Sequence, residues 1–429
     1  MGSLTVLRDR EFLALSGTAF ARAQAYSTVA IALALYADLF NTSSTVEGLF
    51  GTAFALVQLL VVLPIGRYVD THDAKRVLLG GLLVNVVVFG GYFLADSVAD
   101  VILVRVLQGF GASVLWVTGS TVVGEISPDG GRGQWLGTYN QVGAFSSLAG
   151  DMVGGALLTL YGFQETYVVL GAVTLGASVL LYSSLRANPG GRTDPAESTG
   201  RETLRNLLGR GTVRALVTFR FGLSFGKMAV ITFVPIYART GFGMSAILVG
   251  VLLAGGKLTK ALTQGVVGGY TDRVGSKHYF VAGGALVYVL GTSMIPFAEF
   301  AGLLFPTVAV PLAGLPGLSG SVTLVPAFFL LFLAYGICGV GDSLRLPASM
   351  ALFVEEGEQF EAVAGSLSLR SIGWKVGQVV GPLLIGVVWD ATGVFTAFAI
   401  AAGAILAATL AFVRLYGTAW TGTSPVSAD

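Results

Sequence analysis

The sequence predicts an all-α membrane protein with twelve transmembrane helices arranged as two pseudo-symmetric six-helix bundles. Three observations carry this. Of 429 residues, 54% are hydrophobic and only 11% are charged, against about 25% charged in soluble domains. Apolar segments of about twenty residues, the length that crosses a hydrocarbon core of about 30 Å, recur from end to end. The third observation is that the pattern of the first half returns in the second. A soluble enzyme is excluded, because so little polar surface cannot cover a core of this size.

Taken in order, the first span is placed at 12–38, behind the polar start Arg8, Asp9, Arg10 and Glu11. Its apolar stretch of about 25 residues exceeds the apolar part of a signal peptide, so it reads as a retained helix. Breaks at charges, Gly and Pro set the next five spans at 46–69, 77–95, 99–124, 135–161 and 166–186. The longest polar stretch, 187–212, contains Asn188-Pro189-Gly190-Gly191 and Asp194-Pro195. It separates a first half (1–186) from a second (213–429). The later spans fall at 213–238, 245–270, 278–300, 324–352, 362–389 and 394–416. Gly is abundant, at 60 residues, as suits helices that pack closely in a membrane. Pro64 and the Gly381-Pro382 pair are expected to kink their helices.

Orientation follows from Lys and Arg, which concentrate in cytoplasmic loops. With the N-terminus inside, fifteen of the 25 basic residues fall in cytoplasmic segments and one, Arg239, in an external segment. Both termini are therefore expected in the cytoplasm, with the chain in the plasma membrane. Net charge is +1, so no global field points to nucleic acid. The single Cys338 lies in an apolar run and reads as a packing residue.

The halves repeat. Tyr36 matches Tyr237 at an offset of 201, and Gly48–Gly250 and Asp70–Asp272 match at 202. Beyond loop 301–323 the pairs Gly109–Gly336 and Gly137–Gly365 match at 227 and 228, so that loop reads as an insertion of about 25 residues in one copy of a duplication. Parallel six-span repeats place a substrate site near the bilayer midplane.

The loop after the second span reads Gly66-Arg67-Tyr68-Val69-Asp70-Thr71-His72-Asp73-Ala74-Lys75-Arg76. It resembles G-x-x-x-D-[RK]-x-G-[RK]-[RK], the signature of the major facilitator superfamily of secondary transporters, with Thr71 and Asp73 as departures. A second copy, Gly268-Gly269-Tyr270-Thr271-Asp272-Arg273-Val274-Gly275-Ser276-Lys277, is closer to it. Span four carries Arg105-Val106-Leu107-Gln108-Gly109-Phe110-Gly111, similar to the R-x-x-Q-G-x-G of many proton-coupled members. Span five carries Gly150-Asp151-Met152-Val153-Gly154-Gly155, similar to the antiporter motif G-P-x-x-G-G with Asp151 in place of Pro. The resemblance covers the whole chain. It implies the twelve-helix fold of that superfamily, in a drug/proton antiporter-like group. It also implies a cytoplasmic gate around Gly66, Asp70, Lys75, Arg76, Asp272, Arg273 and Gly275. The alternative for Asp70 is an ordinary solvated loop charge.

Charges inside the spans are costly, at least about 2.5–3.5 kcal/mol each at mid-bilayer. Nine cations stand against two acids, Asp151 and Asp342. Arg220 is near enough to a span end to snorkel. Arg345 and Arg370 lie near inner ends, and Asp342, one turn before Arg345, is placed to pair with it. Arg22, Arg105, Lys227, Lys257, Lys260 and Lys375 are harder to explain structurally and are expected to line the substrate or proton pathway, one or two of them only pinning helices. Asp151 is the candidate proton switch, with Arg105 and Lys257 as rival partners and a static salt bridge as the alternative. Trp116 and Trp374 are pathway or packing residues. His72 and His278 are expected in cytoplasmic loops. No His/Cys/acid cluster has metal-ligand spacing and no phosphate-binding glycine loop is present, so neither metal nor cofactor is expected.

The function expected is therefore transport rather than catalysis. It is export of a small organic compound in exchange for protons, by a lipid-embedded monomer. The alternative is uptake or exchange of a small organic or inorganic anion, which rests on the excess of buried cations.

Overall fold

The computed structural model describes residues 6–128, 131–187, 201–274, 276–311, 321–359 and 363–422, with the side chains of 70, 132–133, 201–204, 265–274, 363–364 and 418–422 outside that description. Six helices form the first half: α1 (Arg10–Leu39), α2 (Ser44–Thr71), α3 (Ala74–Phe93), α4 (Val98–Ile126), α5 (Arg132–Leu160) and α6 (Gly162–Ser184). A short α7 (Arg201–Leu208) precedes α8 (Gly211–Thr240), α9 (Ala246–Val274), α10 (Lys277–Met294), α11 (Pro326–Glu358), α12 (Val363–Thr392) and α13 (Val394–Gly422). Eleven of these are long and apolar enough to cross a membrane, among the described residues. The twelfth long helix, α1, has 30 residues, about 45 Å at 1.5 Å per residue. The chain is a multi-pass α-helical membrane protein.

Several helix starts follow from their first residues. Asp9 accepts from Phe12 N at 2.8 Å, Asp73 from Lys75 N at 3.0 Å and Ser97 from Asp100 N at 3.3 Å. Each side chain satisfies a first-turn N–H that has no partner within its own helix.

The structure moves some boundaries. The 187–212 stretch contains α7, whose Leu207 is buried with Val213 and Leu369. The ninth span ends at Met294 and continues as a 3-10 turn, Ile295–Leu303. The inserted loop carries an antiparallel pair, β1 (Val308–Pro311) and β2 (Ser321–Leu324), in register Val308 with Leu324. β2, Ser321-Val322-Thr323-Leu324, alternates polar and apolar residues, whereas Val308-Ala309-Val310-Pro311 does not, and all four β1 residues are exposed. The tenth span runs past 352 to Glu358, so Glu355 and Glu356 are helical. Glu356 is buried and accepts from Thr212 Oγ1 at 2.6 Å, while Glu355 pairs with Lys277. His278 lies in α10, not in a loop.

The chain forms two compact units. The first comprises Met1–Thr42, Leu49–Glu197 and Pro235–Ala254. In it α1 packs on α5 and α6, and α3 on α4 and α6, around Phe12, Leu15, Leu78, Leu82, Leu115, Val122, Tyr139 and Leu181. The second comprises Ser43–Gly48, Ser198–Val234 and Gly255–Asp429. There α10 packs closely along α11, and α12 and α13 pack on each other. Leu60, Leu63, Leu83, Leu103 and Leu262 are among many exposed large apolar residues, as expected of faces that meet lipid chains.

Close glycine contacts fix the repeat. A Cβ on Gly109 would strike Phe54 O, and one on Gly339 would strike Gly256 O. Gly250 meets Asp151 O as Gly48 meets Pro382 O, Gly155 meets Ala246 O as Gly386 meets Ser44 O, and Gly150 meets Gln24 O as Gly381 meets Phe225 O. Gly81 lies against Leu115 as Gly284 lies against Arg345. The offsets are 201–203 before the insertion and 230–231 after it, so the insertion is 27 residues. The equivalents of Gly109 and Gly137 are therefore Gly339 and Ser368, not Gly336 and Gly365. The mismatch is three residues, close to one helical turn, which keeps the face and shifts the register. Neither Gly137 nor Gly336 sits in a tight contact. Positive φ recurs likewise, at Asn41 and Gly243 (48° and 64°) and at Gly162 and Gly393 (82° and 91°). These are turn positions where Gly, and less readily Asn, adopts the left-handed region.

Candidate functional site

A dense set of buried charges lies in the second unit. Asp342 on α11 is in ion pairs with Lys227 of α8 and with Arg345 one turn along its own helix. The Arg345 side chain is 1% exposed, Asp342 9% and Lys227 14%. Tyr288 of α10 lies beneath both cations, its ring 5.5 Å from Lys227 Nζ and 5.7 Å from Arg345 Cζ. Trp374 of α12 lies 4.2 Å from Arg220 Cζ and 5.9 Å from Lys227 Nζ, and its carbonyl accepts from Ser224 Oγ at 2.6 Å. An aromatic face carries partial negative charge, so it stabilises a cation that has lost water. Arg220 is 7% exposed and does not snorkel, because Trp374 holds it inside. The pairing of Asp342 with Arg345 anticipated from spacing is present, but Lys227 joins it and Arg345 is buried rather than reaching an interface.

Lys260 of α9 is half-buried and within electrostatic reach of Asp342 and Arg345. Lys257 is half-buried one turn earlier. Lys375 donates weakly to Gln378 Oε1 at 3.4 Å. Around one carboxylate, the second unit thus gathers Arg220, Lys227, Lys260 and Arg345, with Arg370 in reach of Arg345. Arg345 Nε and Nη1, Arg220 Nε and Arg370 Nε are buried with no hydrogen-bond partner among the described residues. Buried donors of this kind are normally satisfied by protein or water.

The first unit uses its charges differently. Arg105 donates through Nε to Phe50 O at 2.9 Å and through Nη1 to Gln108 Oε1 at 2.7 Å, and lies 4.4 Å from the Phe54 ring. Tyr92 OH also donates to Gln108 Oε1, at 2.9 Å, and Tyr36 OH to Tyr92 O at 2.9 Å. Arg105 and Gln108 thus tie α4 to α2 and α3. Of the two partners weighed for Asp151, Arg105 directs these donors elsewhere. Asp151 is 0% exposed, and Tyr26 is in electrostatic reach of both Asp151 and Arg105. Arg22 lies 4.7 Å from the Trp116 ring. The motif glycines serve close packing, Gly150 and Gly154 against α1 and Gly155 against α9.

At the loop between α2 and α3, Lys75 Nζ donates to Leu185 O at 2.5 Å at the end of α6, and Arg76 pairs with Asp73 at 3.5 Å. Asp73, a departure from the signature, is the N-cap of α3. Gly66 has open space where a Cβ would stand. The side chains of Asp70, Asp272 and Arg273, and the whole of Gly275, lie outside the described residues.

Sequence reasoning missed Asp390, Tyr288 and the Asp38–Arg239 pair. Asp390 accepts from Ser44 N and Thr45 N, both at 2.8 Å, and caps the start of α2. Its repeat equivalent, Thr159, accepts from Ile247 N at 2.9 Å at the start of α9. Arg239 Nη2 lies 2.8 Å from Asp38 Oδ2. An Asp that closes a helix was legible as a terminus; the partner it would reach across sequence was not. An apolar groove of about 740 Å³, lined by Val57, Val87, Leu94, Leu103 and Phe110 among others, has no charged residue in its lining.

Comparison with known proteins agrees with the fold. The profile of the Major Facilitator Superfamily matches residues 15–329. The chain is 23% identical over 273 residues to the multi-drug resistance efflux pump PmrA homolog of Lactococcus lactis, covering 62% of this chain and 67% of that one. It is 23% identical over 370 residues to the MFS-type transporter SLC18B1 of Homo sapiens, covering 82% of this chain and 74% of that one. Among solved structures, a bacterial homolog of the human lysosomal transporter Spinster, inward-facing and occupied, aligns with a TM-score of 0.72 at 16% identity. That alignment covers 97% of this chain and 98% of the other.

Proposed function

The chain belongs to the Major Facilitator Superfamily, and from that premise we propose that it is a proton-coupled secondary transporter of a small organic compound. That it is a membrane transporter of a small molecule, and not an enzyme, follows from the family. Proton coupling is our reading, and one observation carries it. Asp342 is a carboxylate inside a membrane-spanning helix, shared between Lys227 and Arg345. A proton on Asp342 frees both cations, and a cation freed inside a membrane must find another partner or move. That ties protonation to rearrangement, which alternating access requires.

Two directions are supported. Export in exchange for protons is favoured by the likeness of 105–111 and 150–155 to proton-coupled and antiporter motifs, and the efflux-pump relative supports it. Uptake or exchange of a small anion is favoured by the surplus of cations in the second unit. We place the transporter in the plasma membrane as a monomer with both termini cytoplasmic. Residues 1–186 and 213–429 act as its two halves, and Gly66, Asp70, Lys75, Arg76, Asp272, Arg273 and Gly275 as its cytoplasmic gate. Arg22, Arg105, Asp151, Lys227, Lys257, Lys260 and Lys375 are the pathway candidates.

The test is transport by the full chain in proteoliposomes under an imposed pH gradient, with internal pH followed by an entrapped dye. Substrate-dependent proton movement is expected in the parent and its loss in Asp342→Asn. Proton movement that survives in Asp342→Asn removes that residue from the coupling.

A further inference from the structure

We propose that the Lys227–Asp342–Arg345 cluster is the recognition site for a carboxylate on the substrate, and that Asp342 occupies this site from within, as a built-in ligand that the substrate displaces. The proposal rests on the uptake reading above and deepens it by naming the group recognised.

Three observations carry it. First, the donor supply exceeds what Asp342 can use. A guanidinium has five N–H donors in a fixed fork that matches a carboxylate, yet Arg345 Nε and Nη1 have no partner among the described residues, nor has Arg220 Nε. Second, the cluster is reachable. Lys227 and Lys260 keep part of their surface exposed, and Trp374 beside Lys227 is half-buried. Third, the fold does not need it. By the repeat offsets, the equivalents of Arg220, Lys227, Asp342 and Arg345 in the first unit are Ala19, Tyr26, Ala112 and Leu115. A copy of the same architecture stands without any of these ions, so they were acquired or kept for a task performed by this unit.

The group recognised is a carboxylate because the cluster already holds one. Asp342 shows which anion satisfies Lys227 and Arg345 together, and half-buried Trp374, its ring 5.9 Å from Lys227 Nζ, offers an aromatic surface for the body that carries it. An organic cation would meet Arg220, Lys227, Lys260 and Arg345 with one acid to offset them. The charged and titratable groups facing Asp342 are Lys227 and Arg220 of α8, Lys260 of α9, Tyr288 of α10, and Cys338 and Arg345 of α11, with Arg370 of α12 behind Arg345. Lys227 and Arg345 each lose their ion pair when Asp342 takes up a proton, and the other cations lose the charge that offsets them. Proton and carboxylate therefore load together, the order that co-transport requires.

The test is calorimetric titration of the full chain in lipid nanodiscs with benzoate, inorganic phosphate and benzylammonium. Asp342→Asn mimics the protonated state and is expected to bind benzoate at least tenfold more tightly than the parent. Arg345→Gln is expected to bind it at least tenfold more weakly. Unchanged or weaker benzoate binding in a folded Asp342→Asn protein overturns the built-in ligand. Phosphate or benzylammonium bound more tightly than benzoate by the parent overturns the carboxylate. If Asp342→Asn alone does not fold, Asp342→Asn combined with Lys227→Gln keeps the charge sum. Benzoate binding at least threefold tighter than the parent is expected there, and equal or weaker binding overturns the proposal. Benzoate binding by a parent that shows no pH-driven flux counts against the transport reading and leaves the site standing.

Discussion

Asp342 shows how much a single buried charge decides. With Lys227 and Arg345 in place it is satisfied; without it, two cations remain in a low-dielectric interior. Breaking a buried pair by removing one partner costs about 3–5 kcal/mol, whereas replacing the whole set by apolar residues is often neutral. Asp342→Ala is therefore expected to lower stability by about that amount, and adding Lys227→Ala and Arg345→Leu to recover most of it. Thermal unfolding in detergent, read as a mutant cycle, checks this; equal losses in the single and triple variants would contradict it. Arg105 is a different kind of charge, spent on Phe50 O and Gln108. Arg105→Met is expected to destabilise by about 1–3 kcal/mol through the acceptors it leaves unmade.

At the scale of the helices, glycine sets who touches whom. Gly109→Ala would drive a methyl into the Phe54 carbonyl, while Gly137→Ala meets nothing within 4 Å. The first is expected to cost about 1–3 kcal/mol as overpacking. The second is expected to be neutral or to stabilise by up to about 1 kcal/mol through helix propensity, both measured by melting. The caps at Thr45 and Ile247 differ in chemistry though not in place. Asp390→Ala is expected to cost about 0.5–2 kcal/mol at the start of α2, and Asp390→Asn less, because an amide oxygen still accepts. All twelve long helices were legible from apolar length, since membrane solvation acts on every residue of a span. The strands at 308–311 and 321–324 were not. They are four residues each, only the second alternates polar and apolar residues, and they are held by their pairing, which a single segment does not encode.

Across the whole molecule, the duplication was visible as recurring Gly, Tyr and Asp, but its register was read one helical turn out after the insertion. Identity of residue type repeats every turn on a helix face; only contacts such as Gly339 on Gly256 fix which turn. The charges inside the spans were conspicuous in the sequence, but Arg220, Asp342 and Arg345 read there as structural, and only Lys227 and Lys260 of the cluster stood among the pathway candidates. Their grouping was not legible, since Lys227 and Asp342 are 115 residues apart in sequence. Orientation is open to a direct check. Cys338 is buried and is the single cysteine, so the parent offers little background to a membrane-impermeant maleimide. In intact cells Leu304→Cys is expected to label and Arg76→Cys not to, both side chains being well exposed. The reverse pattern would invert the topology.

The separation of Lys227 from Asp342 also bears on how the chain is made. During synthesis α8 enters the bilayer with Lys227 long before α11 exists to supply its counter-charge. For that interval the lysine has to be tolerated by the insertion machinery, by lipid headgroups or by water drawn in around it, at a cost of about 2.5–3.5 kcal/mol at the centre of a helix. When α11 arrives it brings Asp342 and Arg345 together, a helix with no net charge of its own from that pair. The second half thus cannot settle as it grows; its ion chemistry closes only when its fourth long helix is delivered.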